Sequence, residues 1–143
     1  MSPAVGILVG ADADLPILEE CTARLEGYGI DYEVEVRDVH TNPESVSEYA
    51  GTARERGLKV LICAAGMSAQ LAGAVASRTN LPVVGIPIAA GTLGGFDALL
   101  ATVQMPEEAP VATVAVNGAA NAAVLAAQIL ALSDPELAER LEG

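Results

Sequence analysis

The sequence predicts an α/β fold with a five-stranded, mainly parallel, flavodoxin-like sheet covered by helices on both faces. Three observations carry that expectation. Short apolar runs alternate with helical patterns along the chain, five such runs occur, and each crossover between parallel strands places a helix over the sheet. The 52% hydrophobic content is mostly aliphatic, with one Phe and no Trp among 143 residues, so the layers must be joined by small, closely packed side chains.

The elements follow in order. Ala4 to Val9 is an apolar run closed by Gly10, then a loop through Ala11 to Pro16, then helical spacing at Ile17, Leu18, Cys21 and Leu25. Asp31 to Val36 reads as the second strand and Pro43 to Arg56 as a helix. Lys59 to Cys63 reads as the third strand, Ser68 to Ser77 as a helix, and Pro82 to Ile88 and Val111 to Val116 as the last two strands. Asn117 to Leu132 and Ser133 to Leu141 are expected to be helical. The first carries Ala119, Ala120, Ala122, Ala123, Ala126 and Ala127 around most of its circumference, which predicts burial on several sides, with a neighbouring subunit as the second surface. No linker, repeat or low-complexity tract divides the chain, so residues 1–143 read as one domain.

Charge narrows the partners. A formal charge of −12, with 7 Lys plus Arg, argues against nucleic acid or an anionic membrane, because both need clustered cations. It also leaves backbone N–H groups and helix N-termini as the main means of holding an anion. Cys21 and Cys63 lie far apart with no metal-type spacing and read as reduced and buried. No run is long enough for a membrane span, and the N-terminus lacks a basic segment followed by an apolar one, so a cytoplasmic location is expected.

In open α/β sheets ligands bind beyond the carboxyl ends of the strands. That directs attention to Gly10–Leu15, Asp38–Pro43, Ala64–Gln70 and Ala89–Phe96. The second of these holds His40, the only histidine, and imidazole is the side chain that titrates near neutrality without perturbation. Asp38, two residues away, can pair with the imidazole and raise its pKa, or be an ordinary loop residue. Cys63 has apolar strand neighbours and reads as core rather than nucleophile. The glycine-rich run Ala89 to Phe96 is either a flap over the ligand or a plain connection.

Several segments together resemble one family. These are Gly10-Ala11-Asp12-Ala13-Asp14-Leu15-Pro16, His40 followed by Pro43-Glu44, Ala65-Gly66 through Gln70-Leu71 to Gly73, Leu81 through Pro87, Gln104-Met105-Pro106, and Pro110 through Ala115 followed by Ala120-Asn121-Ala122-Ala123. The resemblance is to the PurE family, which contains carboxyaminoimidazole ribonucleotide mutase and aminoimidazole ribonucleotide carboxylase of purine synthesis, and it runs from about Val5 to about Leu130. It implies a three-layer α/β/α sandwich, a homo-octamer with sites between subunits, no metal or organic cofactor, and carbon dioxide as a transient partner of a heteroaromatic carboxylate substrate. His40 matches the family histidine that exchanges a proton with the imidazole carbon. A group with pKa near 7 suits both directions of that exchange.

The chain departs from the family pattern where the resemblance would place phosphate. The family's Gly-Ser-x-Ser-Asp becomes Gly10-Ala11-Asp12-Ala13-Asp14, the arginine after the histidine becomes Thr41, and the serine before it becomes Asp38. Losing one charged contact costs roughly 1.5–3 kcal/mol. A second histidine of the family is replaced by Gln70, which hydrogen-bonds but does not shuttle protons near neutral pH, and Met67 stands where the family has glycine. Asp14 matches the aspartate on the ribose hydroxyls or caps the first helix. The loop at Gly66, Ser68, Ala69 and Gly73 is expected to offer free N–H groups at a helix N-terminus to a carboxylate.

The sequence therefore predicts a PurE-like carboxy-lyase or carboxylase with His40 as general acid and base. Its binding residues are Gly10, Ala11, Asp12, Asp14, Asp38, Thr41, Ala65, Gly66, Met67, Ser68, Gln70 and Leu71. The altered phosphate region makes decarboxylation of a different heteroaromatic substrate the first expectation. The alternatives are a divergent mutase of purine synthesis, a related pyridinium-carboxylating domain, and a non-catalytic oligomeric binding module.

Overall fold

The computed structural model describes residues 2–143. Its sheet has five parallel strands in the order β2-β1-β3-β4-β5: β1 Val5–Val9, β2 Tyr32–Val36, β3 Val60–Gly66, β4 Val83–Ile88 and β5 Ala112–Thr113. Val5 pairs with both Tyr32 and Val60, and Leu61 with Val83. The order reverses between β1 and β3, as in flavodoxin-like folds.

Alternation of side chains along the strands splits the core in two. Val5, Ile7, Val9, Val60, Ile62 and Ala64 face one layer, made by α1 Glu19–Gly27, α5 Ala119–Ala131 and α6 Pro135–Glu142. Leu8, Leu61, Cys63 and Val83 face the other, which holds α2 Pro43–Thr52 and α3 Leu71–Ala76. Both Cys21 and Cys63 are free and buried. Burial pushes the Cys21 thiol up to about 12 and the Cys63 thiol further.

Several boundaries differ from the sequence expectation. The loop before α1 is a 3-10 helix, Asp12–Leu18, shaped by Pro16 within it. The third helix begins at Leu71 rather than Ser68, because Met67 adopts φ 53° and the chain turns before the helix starts. The last strand shrinks to two residues. In a parallel ladder Gly85 and Pro87 face β5, and Pro87 has no N–H to donate, so beyond Thr113 only carbonyls are bridged, Gly85 by the Val114 N–H and Pro87 by the Asn117 N–H.

One helix escaped the sequence reading, α4 Phe96–Val103, which follows Gly94 and Gly95, both at positive φ. Its face Phe96, Leu100 and Val103 is exposed, at 61%, 43% and 43%. The alanine-rich α5 buries one face within the chain. Ala119, Ala122, Ala123, Ala126 and Ala127 form one stripe in the core facing α1 and the sheet, while Asn121 and Gln128 are exposed. Alanine on this stripe lets the helix lie close to the sheet.

Candidate active site

The strand-order reversal opens a crevice of about 200 Å³ above β1 and β3. Three loops build it: Gly10, Ala11 and Asp14 after β1, Asp38, Val39 and His40 after β2, and Ala65, Gly66, Ser68, Gln70 and Leu71 around the end of β3. Nine of the twelve binding residues expected from the sequence, together with His40, meet here. Asp12, Thr41 and Met67 do not line it. Asp12 and Thr41 are exposed, and the Met67 side chain, 57% exposed, points toward Gly91 instead. Val39 lines the crevice and was missed, since an apolar residue between Asp38 and His40 carries no chemical signal.

His40 sits in a short loop held at both ends. Asp38 accepts the His40 backbone N–H at 2.8 Å, and its own carbonyl accepts the Asn42 N–H at 2.9 Å. Asn42 then caps α2 by accepting the Ser45 N–H at 3.2 Å, with Pro43 in the first helical turn. Of the two readings of Asp38, the loop-residue one holds: its carboxylate closes an Asx turn on the backbone. The His40 N–H lowers the Asp38 pKa first, Thr41 adds through its N–H and hydroxyl, and the imidazole contributes last.

The imidazole itself faces across the crevice, with Nε2 3.3 Å from the Ser68 carbonyl oxygen. A carbonyl only accepts, so this contact selects the tautomer protonated at Nε2 and leaves Nδ1 as the basic nitrogen. Asp14, half-buried, makes no cap: the 3-10 helix begins after Ala11 without a side-chain partner. Burial raises the Asp14 pKa. At the third loop two of the N–H groups are engaged locally, while α3 starts without a side-chain cap on its first N–H groups. Ala69 and Gln70 donate theirs to the carbonyls of Met67 and Ser68, at 2.8 and 2.9 Å, and Gly73 lies inside α3, where a Cβ would fall 2.7 Å from Met105 Sδ.

The Ala89–Phe96 loop lies beside the third loop of the site. A Cβ on Gly66 would stand 3.0 Å from Ala90 Cβ, so the two loops touch, yet no residue of 89–96 lines the crevice. Among the described residues the crevice wall carries two carboxylates and no Lys or Arg.

Fold and site together define a doubly wound α/β protein with a small crevice at its topological switch point and one imidazole on its rim. That arrangement suits proton transfer to a small ligand. The AIR carboxylase family model matches residues 4–143. N5-carboxyaminoimidazole ribonucleotide mutase of Thermotoga maritima is 49% identical over 140 residues, 98% of this chain and 82% of that one. The chloroplastic phosphoribosylaminoimidazole carboxylase of Vigna aconitifolia is 46% identical over 98% of this chain, which spans 25% of that longer protein. The crystal structure of Treponema denticola PurE superposes with a TM-score of 0.86 at 28% identity, over 96% of this chain and 86% of that one. The chain belongs to the AIR carboxylase (PurE) family and is an enzyme of the PurE type. No described helix is long and apolar enough to cross a membrane.

Proposed function

We propose that the chain moves a carboxylate on an aminoimidazole ribonucleotide, from the exocyclic nitrogen to the ring carbon, with His40 carrying the proton. The observation that carries this reading is the single imidazole on the rim of the switch-point crevice, in a chain 49% identical to a mutase of that name. Sequence alone placed a different heteroaromatic carboxylate first. The relatives favour the ribonucleotide, which it placed second.

The chemistry balances around one proton. The N–C bond of the carbamate breaks, carbon dioxide leaves, and the nitrogen takes a proton from the imidazolium of His40. The ring carbon, now electron-rich, attacks the carbon dioxide held in the crevice. A C–C bond forms, and the proton on that carbon returns to the imidazole, so no net acid or base is consumed. Carboxylation of the free aminoimidazole, the reaction named for the Vigna relative, would be the second half alone.

In this reading Asp14 takes the ribose hydroxyls, Ser68 and Gln70 face the migrating carboxylate, and the glycines Gly10 and Gly66 let the backbone approach it. Carbon dioxide as a transient partner, assembly into a homo-oligomer and a cytoplasmic location belong to the same proposal. The carboxylate-rich, cation-free wall favours one second reading, a substrate lacking the 5′-phosphate.

Purified protein incubated with N5-carboxyaminoimidazole ribonucleotide should yield the 4-carboxy isomer, and His40→Asn should lower turnover by about 10²–10⁴-fold without unfolding the chain. Conversion of the ribonucleoside in preference to the ribonucleotide would select the second reading. Binding of the ribonucleotide with no turnover, unchanged in His40→Asn, would leave only a binding module.

A further inference from the structure

Arg37 directly follows the strand that leads to His40, and its contacts reach well beyond that strand. Its backbone N–H donates to the Val9 carbonyl at 2.9 Å, adding a rung between β2 and β1 after the last paired residues. Its guanidinium turns toward α2, where Nη1 donates to both the carbonyl and the hydroxyl of Ser45, each at 2.8 Å. Nε and Nη2 donate to Glu35 Oε1. The guanidinium carbon lies 5.1 Å from the centre of the Tyr49 ring.

The platform under it is itself rigid. Tyr49 is 2% exposed and donates its hydroxyl to Glu33, and Arg56 lies over the same ring at 4.8 Å while pairing with Glu33 at 3.2 Å. A solvent-exposed ion pair on an edge strand would contribute little. Arg37 differs, because its side chain is 25% exposed and its fork-shaped donor set is divided between a strand residue and the first turn of a helix. Between those two anchors lies the segment of residues 38–42 that carries the imidazole.

We propose that Arg37 is a positioning residue for His40: its guanidinium locks the end of β2 to the first turn of α2 and so sets where the imidazole stands over the crevice. The proposal rests on the proton-transfer role given to His40 above. The loop's own bonds, from Asp38 to the His40 and Asn42 N–H groups, fix its internal shape. Arg37 and the Asn42 cap fix its placement relative to α2. A displacement of about 1 Å at a proton carrier can cost on the order of 10² in rate. Lysine is a poor substitute here, since one ammonium cannot hold Glu35 and both Ser45 acceptors in a planar fork.

His40 is the only histidine, so its imidazole Cε1–H resonance reports on this loop without assignment. Arg37→Met keeps an apolar stem over Tyr49 but removes every donor. It should move or broaden that resonance and lower kcat by about tenfold with KM within about twofold, the pattern of a displaced proton carrier rather than a weakened binding site. Arg37→Lys should remain closer to the methionine variant than to the parent. If Arg37→Met does not fold, Ser45→Ala, which deletes one acceptor, should shift the same resonance in a smaller degree. An unmoved resonance in whichever variant folds overturns the proposal, as does full recovery by lysine. Failure of the parent protein to convert the ribonucleotide would instead sink the substrate reading and leave the resonance experiment decisive for Arg37.

Discussion

At the scale of single residues, the loop after β2 illustrates how local chemistry and fold divide the labour. Asp38 is held below its ordinary value of 3.8, first by the His40 N–H and then by Thr41. A depressed carboxyl pKa stabilises the folded loop above the unfolded value, and that contribution disappears as pH falls through the folded one. The Asp38 carboxyl-carbon resonance should therefore titrate below the ordinary carboxylate range, where the Asx turn loses its anionic acceptor. A shift already complete near pH 6 would contradict that assignment. Met67 offers a second test, because its left-handed backbone is natural for glycine and costs a side chain about 1–2 kcal/mol. Met67→Gly relieves that strain and should raise stability to urea by up to about 1 kcal/mol, after the greater flexibility of the unfolded glycine is set against it.

At the scale of elements, the start of α2 was legible at Pro43, whereas α6, expected from Ser133, begins at Pro135. Asn42-Pro43 and Asp134-Pro135 each put a side-chain acceptor before a proline, and each does cap its helix, accepting from the N–H of Ser45 and Leu137. Asn42→Ala should cost about 1 kcal/mol of stability by urea denaturation, and the loss in turnover should be larger than that of Asp134→Ala at the far helix. Equal effects on turnover would mean that the cap serves stability alone. The helix α4 was illegible for a definite reason. Gly91, Gly94 and Gly95 take positive φ just before it, and a glycine-rich run reads as loop, although Phe96, Leu99, Leu100 and Val103 carry helical spacing. The third helix was misjudged at its start because the turn at Met67 consumes the residues that seemed to open it.

At the scale of the whole molecule, charge is the unbalanced quantity. The chain has 19 acidic and 7 basic residues, and two ion pairs form among the described residues. Repulsion among the remaining carboxylates opposes the compact state and is screened by salt, with a Debye length falling from about 10 Å at 0.1 M to about 3 Å at 1 M. Added sodium chloride should thus raise the thermal midpoint at neutral pH. A midpoint that falls with salt would show that the ion pairs of Arg37 and Arg56 outweigh the net repulsion.

By itself the sequence determined the class of fold, the five strands and the loops that meet at the carboxyl edge, because periodicity and turn chemistry are local properties of the chain. It also singled out His40, since one histidine in a loop of this kind is visible without coordinates. Only the tertiary structure decided which neighbours the histidine has. Asp38 turned to the backbone, Ser68 came across from β3 to meet the imidazole, and Val39 entered the wall while Asp12, Thr41 and Met67 stayed out. The network from Arg37 through Ser45 to Tyr49 was equally hidden, because Ser45 and Tyr49 share a face of α2 but only the packing of α2 against β2 brings Arg37 to them. Side-chain direction depends on the exact turn of each loop, and the turns are set by contacts between segments that the linear order keeps apart.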